Sequence, residues 1–123
     1  MALNLTAAFL EARMSPSLLP FSASVATSST FLKGAGGIGA DGVPLPFSGT
    51  ITGLSVWDGS TLRSDTRTLS VSANDRITLF ATYSGGTFTV SVIRNGNFTN
   101  VQVSGVPANS TLQASVGLLF SRN

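Results

Sequence analysis

The chain has 123 residues, seven cations, five carboxylates and a formal net charge of +2, with neither Cys nor His. Those absences exclude thiol nucleophiles, disulfide staples, imidazole bases and Cys/His zinc sites. A single domain of this length buries about two-thirds of its unfolded surface, so a core can form without staples.

Only 10% of the residues are charged, against roughly 25% in ordinary soluble domains. There is one Lys and one Glu, and eighteen Ser and fourteen Thr supply the polarity instead. That composition suits β-structure and surfaces that pack against other protein, and it predicts a subunit of something larger. The pI near 10.0 comes from Arg13, Lys33, Arg63, Arg67, Arg76, Arg94 and Arg122, which are scattered along the chain. No run of cations can track a phosphate backbone, so a nucleic-acid partner, and with it a nucleic-acid coat protein, is not expected. No window of eighteen apolar residues reads as a membrane span. The opening MALNLTAAFLEARMS has no basic n-region of a secretory signal. The N-x-[ST] matches at Asn4, Asn97 and Asn109 carry no weight without a secretory route.

In chain order, Asn4 can cap a short helix with Leu5, Ala8, Phe9 and Ala12 on one face, which Ser15-Pro16 then stops. A helix of two or three turns is not stable alone and must dock, on its own β-domain or on a neighbour. FSASVATSSTF, residues 21–31, reads as an extended segment or edge strand, and GAGGIGADG, residues 34–42, as a flexible hinge. Residues 1–42 are therefore expected to form an N-terminal arm, and 43–123 the β-domain.

Within that domain, LPFSGTITGLSVW places Phe47, Gly49 and Ile51 on one face but Leu54 and Val56 on the other parity. One extra residue at Gly53, a bulge, restores the register. Leu69 and Val71 then point inward, followed by Ile77, Leu79, Ala81 and Tyr83, and by Phe88, Val90 and Val92 after a Ser84-Gly85-Gly86 turn. Asn95-Gly96 predicts a two-residue type I′ hairpin. Val101 and Val103 follow, and Leu112, Ala114, Val116, Leu118 and Phe120 mark a central strand at the C-terminus. Turns every eight to twelve residues predict an all-β, jelly-roll-like antiparallel β-sandwich carrying an extended arm with a short helix; a small closed barrel is the alternative.

Few residues suggest chemistry. Gly34, Gly36 and Gly39 satisfy G-x-G-x-x-G, with Asp58 some way on, but DGVPLP cannot start the helix that a dinucleotide site requires. Asp41, Asp58, Asp65 and Asp75 could supply an acid/base pair, yet each lies in turn sequence where Asp bonds its own backbone. No calcium-loop pattern occurs, and no cofactor is implied. Asp75-Arg76 reads as a turn cap beside an edge cation, or as an inter-subunit salt bridge. Arg63 and Arg67 in LRSDTR are candidates for partner contact, since Arg is enriched at interfaces, or members of a solvated loop. Trp57 reads as the closure of one end of a core, as a sugar platform or as an interface anchor.

VPLPFSGTITGLSVW, NDRITLFATY and SVGLLF resemble small β-sandwich domains of tailed-bacteriophage virion proteins. Those domains open with a proline-led P-x-x-G-x-I-x-G-[IL]-S-V strand and carry an A-[GN]-D-R-I turn-strand, here Pro46 to Val56 and Ala73 to Ile77. The resemblance covers about half of the chain, and its Gly49, Ile51, Gly53 and Val56 match as scaffold; the connection between the two motifs is shorter here. Among such proteins a short chain with an N-terminal arm looks like a capsid decoration, or cement, protein. The resemblance implies a non-enzymatic virion component on the outer capsid surface, trimeric and bound to the major capsid protein. A tail or fibre attachment component is the sibling expectation, and a carbohydrate-binding module using Trp57 and Tyr83 is the expectation from a different class. The residues expected to bind partners are Leu5, Phe9, Leu10, Met14, Phe21 and Phe31 in the arm, and Arg63 and Arg67 in the domain.

Overall fold

The computed structural model describes residues 14–34 and 41–121. These residues form an all-β sandwich of two antiparallel sheets. The strands in chain order are β1 (Met14–Val25), β2 (Thr30–Phe31), β3 (Lys33–Gly34), β4 (Val43–Pro44), β5 (Gly49–Trp57) and β6 (Leu62–Asp65). They continue with β7 (Leu69–Val71), β8 (Arg76–Ser84), β9 (Thr87–Arg94), β10 (Asn97–Pro107) and β11 (Ser110–Ser121). The first sheet runs β3-β1-β11-β5-β6, with β7 on the same side of β5 further along; the second runs β10-β9-β8-β2, with β4 also on β8.

Alternating apolar side chains explain why the two sheets stack. Ile51, Leu54, Val56, Leu112, Val116 and Leu118 from the first sheet are buried against Ile77, Leu79, Phe88, Val90, Val92, Val101 and Val106 from the second. Each full burial of this kind contributes about 1.5–3 kcal/mol to the folded state. Leu32 and Leu45, in the connections on either side of the glycine-rich stretch, are also fully buried.

Local chemistry sets the register. In β5, Gly53 faces Gly117 and Ile51 faces Leu118, so Thr52 is the extra residue of a bulge. Gly53 adopts φ of 152° there, which is why the parity of the apolar residues changes at the expected place. The Asn95-Gly96 turn has positive φ at both positions, 52° and 84°, and joins β9 to β10. Its Asn95 carboxamide also accepts from the Arg76 N–H at 2.8 Å and donates to Asp75 Oδ1 at 3.0 Å, docking the hairpin on the turn that precedes β8.

The largest departure from the sequence-based expectation concerns the arm. Residues 14–25 are an interior strand, paired with β11 along their whole length and with β3 on the other side. Phe21 is 4% exposed and Val25 is as deeply buried, both in the common core. The boundary at 42/43 therefore does not separate arm from domain. The low charge and high Ser content of this segment reflect its outward face, while its inward parity supplies core. The expected short helix, with Leu5, Phe9 and Leu10, lies outside the described residues.

Candidate functional site

Three described carboxylates, those of Asp58, Asp65 and Asp75, accept hydrogen bonds from turn amides. Asp58 Oδ1 accepts from the Ser60 and Thr61 N–H groups at 2.9 Å each and from the Ser60 hydroxyl at 3.1 Å, while Oδ2 pairs with the Arg63 guanidinium. The Thr61 and Ser60 amides, with Arg63, hold its carboxyl well below the usual carboxylate range. Burial pushes Asp65 up, but the Gln102 and Arg67 amides and the Arg67 guanidinium outweigh it and the net shift is downward. Asp75 is lowered by the Ser72 amide at 2.9 Å and by the Asn95 carboxamide. A carboxylate stabilised in this way holds its charge and is a poor proton donor near neutrality. Among the described residues, no three His, Cys, Asp or Glu side chains cluster to hold a metal ion.

Arg63 and Arg67 are drawn into these same turns. Arg67 Nε lies 3.3 Å from Asp65 Oδ2, and its Nη1 donates to the Asn100 carbonyl at 2.8 Å. The two arginines thus organise the β5–β6 corner and the sheet edge. Arg76 leaves Asp75 to the turn amides and is itself exposed. Gly34 lies in β3, Gly36 and Gly39 fall outside the described residues, and Val43–Pro44 is a strand rather than the helix a dinucleotide site needs.

The outward faces of the two sheets hold the unassigned features. On the first sheet, strand register aligns a row running Lys33, Ser22, Gln113, Trp57, Leu62 across five strands. The neighbouring row runs Pro20, Ser115, Ser55, Ser64. Small serines floor a depression of about 570 Å³ with Trp57 and Leu62 at one end and Lys33 at the other. Trp57 is 41% and Leu62 61% exposed. The expectation that Trp57 closes the core is corrected: it is the last residue of β5, one position beyond the inward-facing Val56, so its side chain takes the outer face. Tyr83 does not join it, because Tyr83 belongs to the second sheet and packs at 5.2 Å on the core ring of Phe88.

On the second sheet, Phe31, Phe80 and Phe98 form a chain of edge-to-face rings with centroids 4.7 and 6.0 Å apart. Phe98 crosses β9 to reach Phe80 and is 63% exposed. In this same sheet Ser91, Ile93 and Thr78 are buried, and the Thr78 hydroxyl has no hydrogen-bond partner.

Of the residues expected to bind partners, Phe21 is buried in the core. Phe31 is partly exposed and belongs to the aromatic chain. Met14 begins β1 opposite Ser121. The sequence-based expectations missed Leu62, Gln113, Ser22 and Lys33 as one row, since alternation reveals a side chain's face but not its neighbours on other strands. Phe80 carried a signal in its outward parity.

No family model, no curated protein and no solved structure matches the chain.

Proposed function

We propose that this chain is a structural, non-enzymatic component of a virion, a jelly-roll-like capsid decoration protein that assembles through its outer surfaces and stabilises contacts between major capsid subunits. The observation that carries the assembly role is the aromatic chain of Phe31, Phe80 and Phe98 on an outer sheet face. Three linked rings on a face with so few charges fit the centre of a protein interface, where aromatic residues are enriched and charges depleted. The virion assignment rests on the resemblance of Pro46 to Val56 and of Ala73 to Ile77. A jelly-roll-like connectivity is supported by the adjacency of the first and last long strands, β1 and β11, and by the repeated crossing of the chain between sheets.

The aromatic chain is assigned to contacts with neighbouring copies and with the shell, in a trimer seated on the outer capsid surface. Light scattering of the purified chain, followed by sedimentation with phage shells lacking decoration, tests this. The expected result is a trimer that binds shells and that Phe98→Ser converts to a monomer with unchanged circular dichroism. A wild-type chain that stays monomeric at every concentration and does not sediment with shells overturns the proposal.

A further inference from the structure

We propose that the depression on the outer face of the first sheet is a binding site for a short acidic glycan, with a sugar ring stacked on Trp57 and a carboxylate held by Lys33. This inference uses the sheet opposite the aromatic chain and does not depend on the virion assignment.

Three observations carry it. The first is the pattern of unused hydrogen-bonding groups. Lys33, Ser22, Gln113 and Ser115 line the depression, and none of their side-chain polar atoms has a hydrogen-bond partner among the described residues. An apolar protein surface laid over them would strip water from four polar groups without replacing it. A ligand dense in hydroxyls would satisfy them.

The second is geometry. Strands in a sheet are spaced by about 4.8 Å, so Trp57 and Lys33, three strands apart in one row, are separated by about 14 Å at the backbone. That is the scale of a short oligosaccharide. The serine floor provides the room, and a volume of about 570 Å³ lies within the usual range of small-ligand sites. Trp57 is pre-positioned, because its strand is paired on both sides and the following Asp58 turn is locked by the Ser60 and Thr61 amides.

The third is charge. Among the described residues, Lys33 is the one charged residue lining the depression. A single cation at the end opposite the aromatic ring favours a ligand with one anionic end, and is too little for a polyphosphate backbone.

Trp57 is the only Trp in the chain, so its fluorescence reports directly on the site. The probes are 3′-sialyllactose and trigalacturonate as two acidic glycans, with maltotriose as the neutral comparison. We expect a saturable emission change with one of the acidic trisaccharides, and binding weaker by about tenfold or more for maltotriose and for Lys33→Gln. Calorimetry on Trp57→Ala, which lacks the reporter, should show no binding. Both substituted side chains are solvent-exposed, and unchanged melting curves will verify folding; Gln113→Ala provides a further variant with the aromatic ring intact and should also weaken binding. The proposal is overturned if neither acidic trisaccharide binds at about 10 mM, if acidic and neutral sugars bind equally, or if Trp57→Ala binds like wild type. It is also overturned if Trp57 emission changes with protein concentration alone, since a second copy would then cover the face.

Discussion

Asp65 Oδ2 accepts a hydrogen bond from the Gln102 backbone N–H at 2.9 Å, joining β6 at the edge of one sheet to β10 at the edge of the other. Stacked sheets share side-chain packing but no backbone ladder, so a direct polar tie between them stands out. The same carboxylate accepts from the Arg67 N–H at 3.0 Å, and Arg67 reaches on to Asn100. Asp65→Ala should therefore lower stability by about 1.5–3 kcal/mol, the range for loss of a hydrogen bond to a charged group. Urea denaturation measures it, and an unchanged midpoint and slope would remove this stitch from the account.

Acid should weaken the fold in a defined window. The folded-state values of Asp58, Asp65 and Asp75 all lie below the ordinary 3.8. A depressed carboxylate stabilises the folded state fully above its unfolded value and loses that contribution as pH falls through the folded value. With no His in the chain, no side chain with an ordinary pKa titrates between about pH 5 and 8. The melting temperature should be flat across that interval and fall below about pH 4. In Asp58→Asn the acid limb should be shallower; an identical limb would mean that Asp58 is not among the groups responsible.

Two glycine substitutions separate backbone strain from crowding. A Cβ on Gly53, whose φ is 152°, would lie 2.7 Å from the Asp65 carbonyl oxygen, whereas a Cβ on Gly96, with φ of 84°, meets nothing within 4 Å. Gly96→Ala should cost about 1 kcal/mol from the left-handed backbone alone. Gly53→Ala should cost more than about 2 kcal/mol, because the β5–β6 pairing must also shift. Equal costs from thermal melts would show that the bulge relaxes without penalty.

A chain starting at residue 43 should not fold. It would lack β1 and the buried Phe21, Val25 and Leu32, leaving β11 without one of its two neighbours and the core without three side chains, at about 3–5 kcal/mol for Phe21 alone. Dispersed amide resonances from such a fragment would show that β1 is dispensable.

The pattern of success follows from what each signal encodes. Turn chemistry is local, so the Gly85-Gly86 and Asn95-Gly96 hairpins and the bulge beside Gly53 were legible, with positive φ falling on these residues. Alternation is nearly local, so the inward sets of β8, β9 and β11 were legible too, and the central position of β11 followed from its apolar content. The role of residues 14–34 was not. Leu19, Phe21, Ala23 and Val25 alternate with Ser and Pro weakly enough to read as an arm, and only pairing with a strand ninety residues later makes them core. Arg63 and Arg67 were visible as arginines near carboxylates, but their bonds to Asp58 and to the Asn100 carbonyl depend on turn geometry.

The sequence by itself determined that this is an all-β chain with few charges, with its aspartates in turn sequence, because composition, alternation and turn preferences act over a few residues. Only the tertiary structure decided that β1 is an interior strand and that Trp57 lies on an outer face. It also brought Lys33, Ser22, Gln113, Trp57 and Leu62 into one row. Those outcomes depend on long-range strand register, and register is set by the packing of two whole sheets rather than by any one segment.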